Sequence, residues 1–145
     1  MANQTYYEDV QEGAELPPLV KGPIRLIDLV KYAGASDDYA EIHFDREVAT
    51  RNTFPDVILH GMLKTAWLAQ MVTHWAGEAA TLKSIDCQYR GIDVVGETVT
   101  CKGTVTKKEI ADGQHLVHCN LWTENTRGER TTRGMATIAL PTKKV

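Results

Sequence analysis

The run Leu59-His60-Gly61-Met62-Leu63-Lys64-Thr65-Ala66-Trp67-Leu68-Ala69-Gln70-Met71-Val72-Thr73-His74-Trp75-Ala76 decides the architecture. Its apolar residues (Met62, Leu63, Ala66 to Ala69, Met71, Val72, Trp75 and Ala76) cover nearly the whole circumference of a helix, so the spacing predicts one with little water-facing side. At 1.5 Å per residue it is about 27 Å long. Lys64, Gln70 and His74 interrupt it too often for a bilayer span, and no other apolar run is long enough. It is expected to be a core helix, stopped by Gly77.

Beyond Thr81 the hydrophobic period changes to two. Residues 82–90, 97–108, 115–124 and 131–140 are rich in Val, Thr and Ile and read as four strands. Gly91, Gly96, Asp112-Gly113 and Arg127-Gly128 separate them by connections short enough for antiparallel neighbours, so a sheet of consecutive strands is expected. Only that sheet has enough apolar surface to cover the helix, which makes the fold class α+β: a long central buried helix wrapped by a curved antiparallel β-sheet. Upstream, Pro17-Pro18 and Gly22-Pro23 punctuate an extended arm. Leu26, Ile27, Leu29 and Val30 predict a short helix over 24–32 that ends near Gly34, and Asp45 is placed to cap another through Val48 and Ala49.

The chain has 145 residues, 43% hydrophobic and 24% charged, with a net charge of -3. That is about one domain's length, and 1–145 is expected to be a single unit with core enough to need no disulfide or metal staple. The mild acidity gives no electrostatic footprint for nucleic acid or an anionic membrane, so neither is an expected partner. Cys87, Cys101 and Cys119 lack the close pairing of zinc sites and read as reduced, buried thiols, which together with the polar start from Met1 to Val10 points to the cytoplasm.

Phosphate loops, the G-x-S-x-G elbow, H-E-x-x-H and Cys-x-x-Cys are all missing from the sequence. His115 and His118 point to opposite faces of a strand and cannot share a metal; both read as structural, as does His74. His60-Gly61 differs, because the first amides of a helix have no intrahelical acceptor and carry partial positive charge. Gly61 exposes such an amide without a side chain to block a substrate carbonyl. On the polar segment Ala35-Ser36-Asp37-Asp38-Tyr39-Ala40-Glu41-Ile42-His43-Phe44-Asp45, Asp38 and His43 are a carboxylate and an imidazole placed to share one water and move its protons.

That segment, followed by Ile58-Leu59-His60-Gly61-Met62-Leu63, resembles the MaoC-like hydratases, the R-specific enoyl-CoA hydratases and dehydratases. Gly96-Glu97-Thr98-Val99 is similar to the Gly-Asp-Thr-Val turn of these proteins. The resemblance covers most of the chain and implies the hot-dog fold. It makes Asp38 and His43 the catalytic pair and Gly61 the donor to the thioester oxygen, acting on trans-2-enoyl or, in reverse, 3-hydroxyacyl thioesters of lipid metabolism. It implies delivery by CoA or an acyl-carrier protein, no metal or redox cofactor, and a homodimer or hot-dog heteromer.

The family loop usually reads Ser-Gly-Asp-x-Asn-Pro-x-His; here Asp37 replaces glycine, Ala40 asparagine and Glu41 proline. Asp37 competes for the base role, although the spacing to His43 favours Asp38. Arg90-Gly91-Ile92 stands where the family often has Arg-Pro-Val, and Ala66 where it often has serine. The altered loop motivates a second expectation, a non-catalytic or helper subunit supporting a partner's site, and an acyl-CoA thioesterase is a third. Arg90, Lys64, Arg127, Arg130 and Arg133 are basic enough for CoA phosphates but are expected to be solvated surface.

Overall fold

Strong period-two patterning in the second half of the chain gives four strands of one five-stranded antiparallel sheet, and the apolar helix lies in its curl. In the computed structural model, which describes residues 3–143, the elements are β1 (Leu19–Lys21), α1 (Leu26–Ser36), α2 (Arg46–Arg51), α3 (Gly61–Ala76), β2 (Thr81–Tyr89), β3 (Val99–Ala111), β4 (Gln114–Glu124) and β5 (Arg130–Ala139), with 3-10 turns at Tyr7–Asp9 and Glu41–His43. Met1 and Ala2, at the head of the polar start, and Lys144 and Val145, at the end of the expected unit, lie outside the described residues.

The strand order is β1-β3-β4-β5-β2. β3, β4 and β5 are consecutive, as expected, but β2 pairs with β5 and not with β3. The residues between β2 and β3 explain the departure. Leu59 N–H donates to Asp93 C=O (2.9 Å) and Val95 N–H to Val57 C=O (3.1 Å), so the connection runs past the entry to α3 before β3 begins on the far side. The N-terminal arm adds what the pattern did not show: β1, three residues long, pairs with β3. Between β3 and β4, Asp112 (φ 49°) and Gly113 (φ 73°) both take the left-handed conformation that a two-residue I′ hairpin requires.

One face of each central strand carries the core. Cys101 and Val105 of β3, Val117, Cys119 and Leu121 of β4, and Ala136 and Ile138 of β5 pack with Leu68, Met71, Val72 and Ala76 of α3. This is the hot-dog arrangement, a helix held in a curled sheet. It needs one correction, because α3 is not covered on every side: Met62 is 60% exposed, and Ala66 and Thr73 on the same face are also exposed. The sheet curls round only part of the circumference, and β2, the strand at its rim, is itself largely exposed.

A second cluster of Ile24, Leu29, Leu59, Leu63 and Val99 seats α1 beside the first turns of α3. α1 begins later and ends later than the apolar spacing predicts. Ile24 is held outside the helix by backbone bonds to Gly96 and Glu97, and Asp28 accepts from the Arg25 backbone N–H (2.9 Å), starting the helix after Arg25. Gly34 costs a helix interior only about 1 kcal/mol. It does not stop the chain; Asp37, with φ 58°, does.

Candidate active site

Asp37 occupies the left-handed position at the end of α1, the place where the resembling loop has glycine, and turns the chain back on itself. Asp38 follows with its amide on Ser36 Oγ (3.3 Å) and its Oδ1 accepting from Ala40 N–H (3.3 Å). Glu41 then opens the single 3-10 turn that ends on His43, and Asp45 caps α2 by accepting from Val48 N–H (3.1 Å), as the sequence predicts. Asp38 and His43 are thereby brought face to face, with Oδ2 and Nε2 3.9 Å apart.

That separation is too long for a direct hydrogen bond and suits one bridging oxygen. His43 is buried and its Nδ1 lies 2.7 Å from the Ile58 carbonyl. A carbonyl only accepts, so Nδ1 carries a proton, and Nε2 is the ring nitrogen turned toward Asp38, where it offers a lone pair whenever the ring is neutral. Asp38 itself is exposed. The pair therefore presents two acceptors to one gap, one on a buried ring and one at the solvent edge.

Gly61 is the first residue of α3. Its N–H has no acceptor within the helix and none outside it among the described residues. The Tyr89 ring, at the end of β2, walls this amide: a Cβ on Gly61 would lie 3.0 Å from three of its carbons. The Tyr89 hydroxyl shares a 2.7 Å hydrogen bond with Thr65 Oγ1 and reaches Met62 Sδ at 3.1 Å.

The sequence pointed to the backbone of the His60-Gly61 pair and not to the imidazole. His60 is 1% exposed, its ring stacks on His43 with centroids 3.8 Å apart, and its Nε2 lies 3.2 Å from the Asp38 carbonyl. Tyr32 meets its edge at 4.8 Å. Burial, and next the neighbouring His43, lower the His60 pKa from 6.5. Burial also raises the Tyr32 pKa, helped by Tyr89 and Asp38. No spacing rule says where the side chain of a residue just ahead of a helix points; the nearest signal was the adjacency of His60 to Gly61.

Asp38, His43 and His60 offer ligand atoms within 4.8 Å of one another. The two imidazole planes are only 21° apart in their stack, so their lone pairs lie in nearly parallel planes. A metal must lie in both ring planes at about 2.0–2.1 Å from nitrogen, and planes this close to parallel do not meet at such a distance. The donors fit a proton-handling site better than a metal centre.

Lys64 corrects the expectation of a solvated cation. Its side chain is 2% exposed, and Nζ donates to Asp93 Oδ2 at 2.8 Å and to the Gly91 carbonyl at 3.2 Å. Thr131 of β5 donates to the same carboxylate at 2.7 Å. Arg127 is engaged by Glu97 and Glu129, and Arg130 packs on the Trp122 ring. Of the three histidines expected to be structural, His118 lies 2.7 Å from Glu109 Oε1 and His115 meets the Tyr7 ring, whereas His74 is exposed in the last turn of α3.

Known proteins agree with this reading at the level of family. The MaoC-like domain family model matches residues 11–126. The 3-oxo-4,17-pregnadiene-20-carboxyl-CoA hydratase beta subunit of Mycobacterium tuberculosis is 31% identical over 77% of this chain and 81% of its own. The (R)-specific enoyl-CoA hydratase of Rhodospirillum rubrum is 30% identical over 70% of this chain and 69% of its own. Among solved structures, a chain of the ChsH1-ChsH2 complex from Mycobacterium tuberculosis superposes with a TM-score of 0.79 at 28% identity, covering 90% of this chain and 98% of that one. With its helix in a curled antiparallel sheet and a family match spanning most of its length, the chain belongs to the MaoC-like domain family.

Proposed function

We propose that the protein adds water to a trans-2-enoyl thioester, or removes it from the (R)-3-hydroxyacyl thioester in reverse. One observation carries the reading: the Asp38 carboxylate and Nε2 of His43 face each other across 3.9 Å, on the segment ahead of the Gly61 amide, which has no acceptor among the described residues. Two acceptors flanking one water take both of its protons in hydrogen bonds and leave an oxygen lone pair for the β carbon. The C–O bond forms at the β carbon as one O–H bond of the water breaks and its proton passes to the pair, the double bond's electrons move onto the α carbon and thioester oxygen, and the pair then returns a proton to the α carbon. H and OH have then been added with no change of oxidation level, so the step consumes no redox equivalents.

Negative charge on the thioester oxygen is the charge to stabilise. The Gly61 N–H, at the positive end of α3, is the donor assigned to it. Loss of one such donor in comparable sites costs about 3–4 kcal/mol in the barrier. The substrate class, acyl-CoA or acyl-carrier-protein thioester, rests on the hydratases among the relatives. In the same reading 1–145 works as one domain in the cytoplasm, in line with three cysteines that stand as free thiols.

The second reading, a subunit that works with another hot-dog chain, is favoured by the exposed Met62, Ala66 and Thr73 face of α3 beside the rim strand β2. The named beta subunit and the two-component complex among the similar proteins point the same way. A homodimer would cover the same surface. A panel of trans-2-enoyl-CoA thioesters separates the readings. Loss of enoyl absorbance with an (R)-3-hydroxyacyl product supports hydration, release of free CoA thiol means a thioesterase, and turnover only after a second hot-dog chain is added means a helper subunit.

A further inference from the structure

We infer that His60 is a positioning residue that holds Asp38 and His43 in register, an inference that rests on those two being the reacting pair. Nε2 of His60 is 3.2 Å from the Asp38 carbonyl, so this nitrogen carries the proton and donates. The ring face stacks on His43 at 3.8 Å and 21°. The backbone of the same residue caps α3 and leads directly into the Gly61 amide. His60 thus touches both members of the pair and adjoins the thioester donor. Tyr32 meets its edge at 4.8 Å and 67°, so the ring is clamped between α1 and the 3-10 turn.

A space-filling role would not ask for an imidazole. His60 is 1% exposed and its Nδ1 is buried without a partner among the described residues, an arrangement that penalises a polar ring where an apolar one would sit at no such cost. What the imidazole adds over phenylalanine is the hydrogen bond to Asp38. What it adds over glutamine or asparagine is the flat face against His43. The Ile58 carbonyl fixes the tautomer of His43 but leaves the ring free to tilt about that bond, and the stack removes this freedom. Asp38 is exposed on a loop that has Ala40 and Glu41 in place of the usual asparagine and proline, so a backbone anchor from the core compensates directly. The titratable groups around His60 are Tyr32 of α1, Asp38 of the loop and His43 of the turn.

The first test needs no substitution and no turnover. Nitrogen-15 spectra of the histidine rings in the intact protein are expected to show His60 neutral with the proton on Nε2; a proton on Nδ1 alone would remove the bond to Asp38 and overturn the inference. His60→Phe keeps the stack and loses the donor, whereas His60→Gln keeps a donor and loses the stack. Either is expected to lower kcat by about 10- to 100-fold, the loss that follows when a reacting group is misplaced by about 1 Å, with KM changed less than threefold and the His43 ring resonances shifted. Folded variants with kcat within twofold of the parent and unchanged His43 resonances would reduce His60 to filler. If the parent hydrates no enoyl thioester, the proposed reaction fails, and the His60 tautomer read from the parent still tests the bond to Asp38 by itself.

Discussion

Lys64→Met tests how the entry to α3 is held. Lys64 and Asp93 are 2% and 0% exposed and 2.8 Å apart, and the carboxylate also accepts from Thr131. Attraction between unit charges at that distance is roughly 6 kcal/mol at an effective dielectric constant near 20, but burying two ions costs several kcal/mol each, so the intact pair contributes little net. Removing one partner is another matter: methionine fills the lysine stem's volume and leaves Asp93 buried without its cation, which typically costs about 3–5 kcal/mol. At about 2–4 °C per kcal/mol for a chain near this length, the melting temperature should fall by roughly 6–20 °C. Urea and thermal denaturation followed by circular dichroism measure it, and Lys64→Met with Asp93→Leu should recover most of the loss, since paired apolar replacement is often neutral. A single variant that loses under about 1 kcal/mol would refute the reasoning, because that is what a water-exposed pair is worth.

The remaining expectations concern the site and the thiols. Gly61→Ala keeps the backbone N–H but puts a Cβ 3.0 Å from the Tyr89 ring, so crowding beside the thioester donor should lower kcat/KM on an enoyl thioester at least tenfold while the fold survives; unchanged kinetics would show that the ring yields without disturbing the donor. Because burial lowers the His60 pKa from its ordinary 6.5, the unfolded chain takes up a proton there that the folded one refuses. Its stabilisation is complete above pH 6.5 and declines as the pH falls below that value, by up to about 1.4 kcal/mol per pH unit; His60→Gln should flatten this part of the stability profile, and an unchanged profile would contradict it. Burial pushes the Cys101 and Cys119 thiols up to about 12, whereas Cys87 is only half-buried, so a maleimide at pH 8 should label Cys87 first and the other two only on unfolding; equal rates for all three would show a looser core.

What the sequence made legible follows from which signals are periodic. α3 and the long strands carry regular hydrophobic patterns, and their bounds fall within a few residues of those expected. Strand order does not show in a period: β2 reads like a neighbour of β3, and only the hydrogen bonds between residues 57–59 and 93–95 reveal that the chain crosses over first. β1, at three residues, is too short to register. Asp38, His43 and Gly61 were singled out through residue chemistry and a family motif, and the first two lie 3.9 Å apart in the structure. His60 was passed over because its imidazole acts across space, on residues 17 and 22 positions away. Lys64 was misread because nothing in its surroundings along the chain announces Asp93, whose loop is delivered by the fold. Asp37 is the instructive departure: the usual glycine marks a left-handed turn, and the turn is still made, by a residue type that tolerates it.

The central claim is that Asp38 and His43 activate water toward an enoyl thioester. The most direct measurement is the loss of enoyl absorbance when a trans-2-enoyl-CoA panel is mixed with the protein and, in parallel, with Asp38→Asn shown to be folded by circular dichroism. The account predicts turnover by the parent and a loss of about 10²- to 10⁴-fold in the variant, the usual contribution of a general base. An Asp38→Asn protein that hydrates as fast as its parent would contradict it.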